Sequence, residues 1–208
     1  MSFTLATLKS TVQEYLQVNE TTFNDNLDEF IRESEDRIFS MVQLPEQRKN
    51  VQGAMTLGNR FLSTPSDFYA PFSVAIIDSN VYSYLLFKHP SFIKEYSPNS
   101  TVTGQPKYYS LFDNSAFEIA PVPDAAYTVE LHYLYKPASL TAGADSGTTI
   151  LSSKYSDALL YGTLVEAAVF LKEASDVVAT FETRFKEALT RMKNLSEGRE
   201  TRDEYRYD

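Results

Sequence analysis

The period of the apolar residues changes twice along the chain. At the start, apolar residues recur every three or four positions, which is the spacing of an amphipathic helix and predicts a first helix over residues 3–17. A second helix follows; Thr22 with Asp25 predicts a capping box at its start, and Pro45 ends it. Its polar face predicts ion pairs at i,i+4 between Asp28 and Arg32 and between Glu33 and Arg37.

From about Gln47 the pattern alternates between apolar and polar residues, which indicates strands with one buried face. The clearest strand covers residues 127–135. Residues 90–96 predict a short helix, because proline suits the first helical turn. Turn-forming residues separate the strands; the predicted turns are Gly58-Asn59, Asp78-Ser79-Asn80 and Asp113-Asn114-Ser115.

The helical period returns after a Ser/Thr/Gly/Ala-rich linker at residues 140–149. Residues 155–173 predict a helix that is apolar around most of its circumference, which is typical of burial inside a bundle or between a bundle and a neighbouring subunit. A fourth helix is predicted to start near Ser175 or Asp176. After Gly198, the charged tail has no apolar face, so we expect it to be disordered alone.

This order of elements predicts an α+β fold. Neither helical pair can bury its apolar stripes alone, so we expect the two pairs to combine into an antiparallel four-helix bundle. The strands then form an inserted antiparallel β domain, either a barrel or a sandwich. The predicted domains are residues 1–45 (first half of the bundle), 46–150 (β domain), 151–197 (second half of the bundle) and 198–208 (an extended C-terminal tail).

Composition narrows the function. The 208 residues include no Cys, which excludes disulfides, thiolate zinc sites and Cys nucleophiles. The net charge of −9 argues against a protein that grips nucleic acid through Lys and Arg. No stretch approaches the ~18 apolar residues of a membrane span, and the start lacks a secretion signal, so we expect no membrane and synthesis in a cytosol. The 14 Tyr residues suit protein interfaces.

Candidate catalytic groups are few. His89 and His132 are the two histidines, and we expect both to be surface side chains. The sequence has no nucleophile elbow, no metal-ligand spacing and no phosphate-binding loop, so we expect no catalytic residue, cofactor or metal. Glu166 lies inside the apolar helix, where a raised pKa could make it a general acid. An ion pair at a subunit interface or a hydrogen bond to a tyrosine is the favoured interpretation.

Several phrases, in order along nearly the whole chain, resemble one protein family. They are Pro65-Ser66-Asp67-Phe68-Tyr69, Gly104-Gln105-Pro106-Lys107-Tyr108-Tyr109, Tyr133-Leu134-Tyr135-Lys136-Pro137 and Tyr155-Ser156-Asp157-Ala158-Leu159-Leu160-Tyr161-Gly162. Together they resemble the adaptor, or head-to-tail connector, proteins of tailed bacteriophages. None of these phrases is a catalytic signature.

The resemblance implies a structural virion protein at the portal–tail junction, made in the host cytoplasm. It implies a homo-oligomeric ring, typically of twelve copies, that contacts the portal protein and the tail nozzle or tube, with tail fibre proteins as further candidate partners. DNA then passes through without sequence-specific binding. The implied portal-docking residues are Arg199, Arg202, Tyr205, Arg206 and Tyr207, and the candidate subunit interface is Tyr155, Leu160, Tyr161, Leu164, Glu166 and Ala168.

Two other function classes stay open on the sequence. One is a cell-wall glycan hydrolase that uses a carboxylate such as Glu166. The other is a glycan-binding β module of a phage tail, with tyrosines as platforms. The sequence also leaves open whether the phage has a short or a long tail.

Overall fold

The computed structural model describes residues 2–200, and the side chains of residues 2–196. The fold is mixed α+β, as predicted. Its helices are α1 (Leu5–Leu16), α2 (Thr21–Met41), α3 (Pro90–Tyr96), α4 (Ile150–Lys154), α5 (Ser156–Phe170) and α6 (Ser175–Glu200). Its strands are β1 (Arg48–Ala54), β2 (Phe61–Ser63), β3 (Phe68–Asp78), β4 (Val81–Tyr84), β5 (Leu86–Phe87), β6 (Thr103–Gly104), β7 (Tyr108–Leu111), β8 (Ala116–Ala120), β9 (Val122–Pro123) and β10 (Thr128–Tyr135).

The described chain divides into two compact units. Residues 2–46 and 138–200 form the helical unit, and Gln47–Pro137 form the β unit. Each unit has its own cluster of buried apolar side chains. No helix among the described residues is long and apolar enough to cross a membrane.

The first helix is confirmed, and its start has a clear cause. Thr4 caps α1: its hydroxyl accepts a hydrogen bond from the Thr7 amide, and the Thr7 hydroxyl accepts one from the Thr4 amide. These reciprocal bonds satisfy amides that the first helical turn leaves unpaired. Gln17, at φ 53°, takes the left-handed conformation that ends the helix.

The capping box predicted for the second helix is wrong. α2 already begins at Thr21, with Glu20 at the cap position and no side-chain capping bond. The predicted i,i+4 ion pairs are also wrong. Asp28 pairs with Lys9 of α1 at 2.7 Å, and Arg37 pairs with α5 and α6. Asp28 and Arg37 thus pair with other helices, whereas Arg32 pairs locally with Glu29 at i,i+3, at 3.3 Å.

The apolar helix predicted over residues 155–173 is present as α5, which runs unbroken from Ser156 to Phe170 and is preceded by the short helix α4. α4 and α5 meet at Tyr155, whose backbone is not helical (φ −123°, ψ 38°). α5 contacts α1, α2, α4 and α6. Side chains of other helices pack tightly against α5 at Gly162. A Cβ added there would lie 2.2 Å from Ser34 Oγ and 2.9 Å from the Phe185 ring. Only glycine therefore fits this position of α5.

The segment predicted as a linker, residues 140–149, is ordered and belongs to the helical unit. It contains a 3-10 turn, Leu140–Ala142, and Leu140 is buried. The Leu140 amide donates to Glu35 Oε1 at 3.0 Å, and the Ala6 amide donates to the Asp145 carbonyl at 3.0 Å. These contacts could not be predicted from the polar composition of the segment, because its backbone makes them.

The β unit consists of two four-stranded sheets and one short pair. The first sheet has the order β1-β10-β3-β4 with every neighbour antiparallel. The second has the order β2-β8-β7-β5; here β5 runs parallel to β7, as β6 does to β9 in the short pair. The expectation of purely antiparallel strands is corrected at these two pairings. Buried side chains of both four-stranded sheets form one cluster, which is the two-layer organisation of a sandwich.

Two of the three predicted turns are hairpins. Ser79 and Asn80, at φ 49° and 65°, join β3 to β4, and positive φ at both central positions matches the twist of a hairpin. Asp113 joins β7 to β8 by accepting a hydrogen bond from the Ser115 amide at 2.8 Å. The hairpin predicted at Gly58-Asn59 is wrong, because β1 and β2 lie in different sheets.

Candidate functional site

The six candidate interface residues lie in α5 or just before it, and their exposure differs. The buried ones are Tyr155, Leu160, Leu164 and Ala168. Tyr161 and Glu166 are partly exposed. Within a single chain, therefore, Tyr161 and Glu166 offer surface to another copy, whereas the four buried residues pack inside the helical unit. The interface role of the set stays a prediction.

Glu166 belongs to an ion-pair cluster formed within one chain. Arg37 of α2 places Nη1 3.5 Å from Glu166 Oε1 and Nη2 2.7 Å from Glu182 Oε1. The same guanidinium lies 4.7 Å from the centre of the Phe185 ring. Arg37 thus connects α2 to α5 and α6, and the ion pair predicted for Glu166 is made with its own chain.

Burial raises the pKa of two carboxyl groups in the helical unit. Desolvation is the largest cause for Glu166; the nearby charge of Glu33 raises this pKa further, and Arg37 opposes the shift. Desolvation also raises the pKa of Glu35, whose Oε1 accepts from the Leu140 amide while Oε2 is buried without a partner. Glu35 was not singled out from the sequence, although its position between Ile31 and Ile38 places it on the apolar stripe of α2.

A polar cleft of about 290 Å³ lies beside the exposed part of the candidate interface. It is lined by Phe3, Tyr15, Asp157, Leu160, Tyr161, Arg184, Glu187 and Arg191. The Arg184 guanidinium lies 5.7 Å from the centre of the Tyr161 ring, and Arg191 Nη2 lies 3.5 Å from Asp157 Oδ2. Charges of both signs around three aromatic rings suit a polar protein segment, since such groups bind backbone and charged side chains alike.

The predicted portal-docking residues fall at the end of the chain. Arg202, Tyr205, Arg206 and Tyr207 lie outside the described residues. The backbone of Arg199 belongs to α6, which continues through Gly198 to Glu200, but the Arg199 side chain is outside the described ones. Their docking role stays a prediction.

The β unit carries an apolar groove of about 580 Å³ that sequence reasoning missed. Phe112 and Phe61 on its wall are 84% and 56% exposed. At its floor, the nearly buried Glu118 carboxylate pairs with Arg60 at 3.3 Å and with Lys94. The pairing of β2 with β8 brings Arg60 to Glu118. No local sequence pattern predicts this register, so the ion pair could not be predicted. With its charge compensated, Glu118 can lie under a surface suited to apolar side chains.

The two histidines have structural partners. His89 caps α3, since its Nδ1 accepts from the Ser91 amide at 3.3 Å. His132 lies on the outer face of the first sheet, with Nε2 3.3 Å from Glu130 Oε1 and Nδ1 3.1 Å from Ser73 Oγ. Gln52 also donates to Glu130, at 3.0 Å. These contacts form a polar row that connects β1, β10 and β3.

Exposed aromatic side chains concentrate on the β unit. They include Tyr69, Phe72, Tyr82, Tyr84, Phe87 and Phe112. Exposed apolar surface of this kind marks protein contacts, and Tyr and Phe are enriched there. Among the described residues, no group of three or more His, Cys, Asp or Glu side chains could hold a metal ion. The exposed aromatic side chains thus offer the chemistry of protein contacts.

Comparison with known proteins agrees with this chemistry. The sequence profile of a family described as SU10 adaptor protein matches residues 3–207. Among curated proteins, no sequence matches the chain. The matched range includes both compact units and nearly all of the C-terminal segment, so the family likeness concerns the whole architecture.

Proposed function

The chain belongs to the SU10 adaptor protein family, a family of structural tailed-phage proteins that act between head and tail, and we propose that it forms a homo-oligomeric ring joining the portal to the tail. The observation that carries the proposal is the match over residues 3–207, because it covers the helical unit, the β unit and the tail in one architecture. We propose twelve copies, in keeping with the resemblance.

The two units have separate roles in this proposal. The helices α1, α2, α5 and α6 form an antiparallel four-helix bundle that is the body of the ring, with Tyr161 and Glu166 facing a neighbouring copy. The β unit carries the exposed aromatic side chains and meets the tail nozzle or tube and the tail fibre proteins. The C-terminal residues dock into the portal. Arg side chains and two tyrosines there provide charge and contact area, and Arg and Tyr are enriched among residues that dominate binding.

The net charge of −9 per chain fits the passage of DNA. Carboxylates that line a channel repel phosphates, so DNA moves through without being held. A channel surface that proves strongly basic would contradict this part of the proposal.

Electron microscopy of the purified protein, alone and mixed with its phage portal protein, tests the ring. We expect closed rings stacked on the portal, and a chain that stays monomeric with the portal contradicts the proposal. Replacing both Tyr205 and Tyr207 by Ala tests docking: we expect rings to form but at least tenfold weaker binding to the portal. Tyr69→Phe, on the β unit, is the matched aromatic control and should bind as the original chain does.

One observation supports a second candidate, a cell-wall glycan hydrolase. The raised pKa of Glu166 is a property of general acids. This function requires that the protein cleave cell-wall glycan and that Glu166→Gln abolish cleavage while the protein remains folded. The contact with Arg37 favours a structural role, because a guanidinium partner stabilises the charged carboxylate rather than the acid form.

A further inference from the structure

The first sheet of the β unit ends in two open edges, β1 and β4. Proteins usually protect a long exposed edge with charged residues, proline or a bulge, because unpaired backbone groups attract other strands. All seven residues of β1 are exposed, its register with β10 is unbroken, and residues 50–54 contain neither charge nor proline. β4 is shorter, with four residues, and its sequence Val-Tyr-Ser-Tyr likewise contains neither charge nor proline.

The free backbone groups of β1 can be assigned from its ladder. The Met55 amide donates to the Tyr127 carbonyl at 2.8 Å, and hydrogen-bonded pairs alternate along an antiparallel ladder. The backbone groups of Val51 and Gly53 therefore face β10. Those of Asn50, Gln52 and Ala54 face away from the sheet, and the described part of the chain supplies them no partner.

The same reasoning assigns the other edge. The hairpin pairs Asp78 with Val81, and the Leu85 amide donates to the Val74 carbonyl at 2.9 Å. Ser83 lies between these points and faces β3, so the backbone groups of Tyr82 and Tyr84 face outward. Tyr82 and Tyr84 are also 50% and 63% exposed, which leaves room for an added strand.

The two edges match each other in the direction of their side chains. The paired residues Gln52, Glu130, Ala75 and Tyr84 form one row across the sheet, on the outer face. On both edges, then, the residues with free backbone groups point their side chains to the outer face. A second copy can lie beside the first with the outer faces of the two sheets on the same side. β4 of one copy can then hydrogen-bond to β1 of the other while the outer-facing side chains of both strands stay on the outer face.

Strand direction also matches. All neighbours in the four-stranded sheet are antiparallel, so β1 and β4 run in opposite directions. Repeating the sheet sideways brings β4 of one copy antiparallel to β1 of the next. Because the two edges differ, this contact is head-to-tail, the kind that closes into a ring when each copy is rotated by a fixed angle.

The inner side of β1 has space for such a neighbour. A cleft of about 270 Å³ opens between β1 and β2, lined among others by Val51, Gly53, Leu62 and Leu131. A Cβ added at Gly53 would meet no atom within 4 Å. Val81, which is 63% exposed at the other edge, can cover this opening from the next copy.

We infer that adjacent copies join by pairing β4 of one with β1 of the next, so that one antiparallel sheet continues from copy to copy. The partner is a second copy of this chain, and the inference rests on the proposed ring. The contact supplies backbone hydrogen bonds, which give affinity, and the cleft beside Gly53, which gives selectivity.

Engineered disulfides test the contact in the full chain, which has no native Cys. The first variant combines Gly53→Cys with Ser83→Cys, and the second combines Val51→Cys with Ser83→Cys. β1 and β4 of one sheet are three strand spacings apart, about 14 Å, too far for a disulfide within a chain. Across the proposed contact, inner-facing residues lie about 4.5–5.5 Å apart. We expect at least one variant to give a ladder of linked oligomers that reductant removes.

The control combines Gln52→Cys with Ser83→Cys, which places the thiols on opposite faces of the joined sheet. We expect no ladder from it; an equal ladder would overturn the inference. Dimers formed by Ser83→Cys or Gly53→Cys alone would show like edges pairing and would also overturn it. Rings seen by microscopy without any ladder overturn the edge contact but leave the ring, whereas a ladder without rings on the portal supports the contact and contradicts the proposed function.

Discussion

The helical unit and the β unit place their apolar side chains in opposite ways. In the helical unit, α5 is surrounded by other helices, and its apolar residues fill the interior of a single chain. In the β unit, a smaller buried cluster is accompanied by many exposed aromatic rings and two open sheet edges. The helical unit therefore buries the larger apolar cluster within the chain, while the β unit leaves more of its aromatic side chains exposed.

The largest expected effect comes from Phe185, which is fully buried under Arg37. Phe185→Ala should lower the free energy of unfolding by about 3–5 kcal/mol, because it removes a large ring from a packed core. Phe112→Ala, at an 84% exposed phenylalanine of the β unit, should change it by less than about 0.5 kcal/mol. Chemical denaturation measures both. Equal losses of unfolding free energy in the two variants would show that Phe112 is part of a core. They would contradict the difference between the buried helical residues and the exposed aromatic residues of the β unit.

The next effect compares two glycines. Gly162→Ala should destabilise the protein by about 1–3 kcal/mol, since the new methyl group overlaps Ser34 Oγ. This loss outweighs the gain of about 1 kcal/mol that Ala normally has over Gly in a helix. Gly53→Ala, with open space around it, should be neutral or stabilise by up to about 1 kcal/mol. Thermal unfolding of the two variants decides, and a neutral Gly162→Ala would contradict the tight packing of α5.

One carboxyl group in each unit should respond to pH with opposite sign. Burial raises the pKa of Glu35 in the folded state, so its carboxyl group favours folding at low pH and opposes it as pH rises above 4.5. Glu35→Gln should therefore gain stability relative to the original chain as pH rises from 4.5 to 7.

Asp67 of the β unit behaves in the reverse way. Hydrogen bonds from Lys49 and Tyr133 lower its pKa below 3.8, so its contribution is present above pH 3.8 and is lost as pH falls through the folded-state pKa. Asp67→Asn should lose stability relative to the original chain at pH 7, and the difference should shrink as pH falls below 3.8. Denaturation curves across this range test both variants, and slopes of the same sign for the two would count against the assignment.

The smallest effect on unfolding is expected at Gln52, together with a loss of self-assembly. Proline is tolerated at an edge position whose amide faces away from the sheet, so Gln52→Pro should change the free energy of unfolding by less than about 1 kcal/mol. It should still weaken self-assembly, because it removes a donor from the proposed contact. Val51→Pro, one residue away, removes an amide that faces β10 and should cost about 1–3 kcal/mol. Gel filtration over a concentration series and denaturation separate the two results; self-assembly of Gln52→Pro as strong as that of the original chain would contradict the edge contact.

The predictable parts of the fold are those that depend on local pattern. The alternation in β10 and the Ser79-Asn80 turn identify strands and a hairpin, because neighbouring residues decide both. The sequence could not show that Gly58-Asn59 connects two different sheets, since strand order is set by contacts between distant segments. The predicted start of the apolar helix at Tyr155 agrees with α5 to within one residue, whereas the short helix α4 that precedes it was not identified from the sequence.

The residues of the candidate site also fall into those that a local pattern predicts and those that depend on contacts between distant segments. Glu166 was singled out because a charge within an apolar helix stands out locally. Its partner Arg37, like the pairing of Arg60 with Glu118, lies far away in sequence and follows only from the tertiary fold. The open edges were missed for a related reason: a strand's sequence does not reveal whether it lies at the edge or in the centre of a sheet.

The register at the start of β1 has a consequence for modularity. Arg48, where the chain enters the β unit, pairs with Leu134, close to where it leaves, so entry and exit are separated by only about 5 Å. A short loop could close that gap and leave the helical segments connected. The β unit is thus a separable insertion: evolution could exchange it for another domain, and an engineer could graft it elsewhere, without redesign of the helical unit.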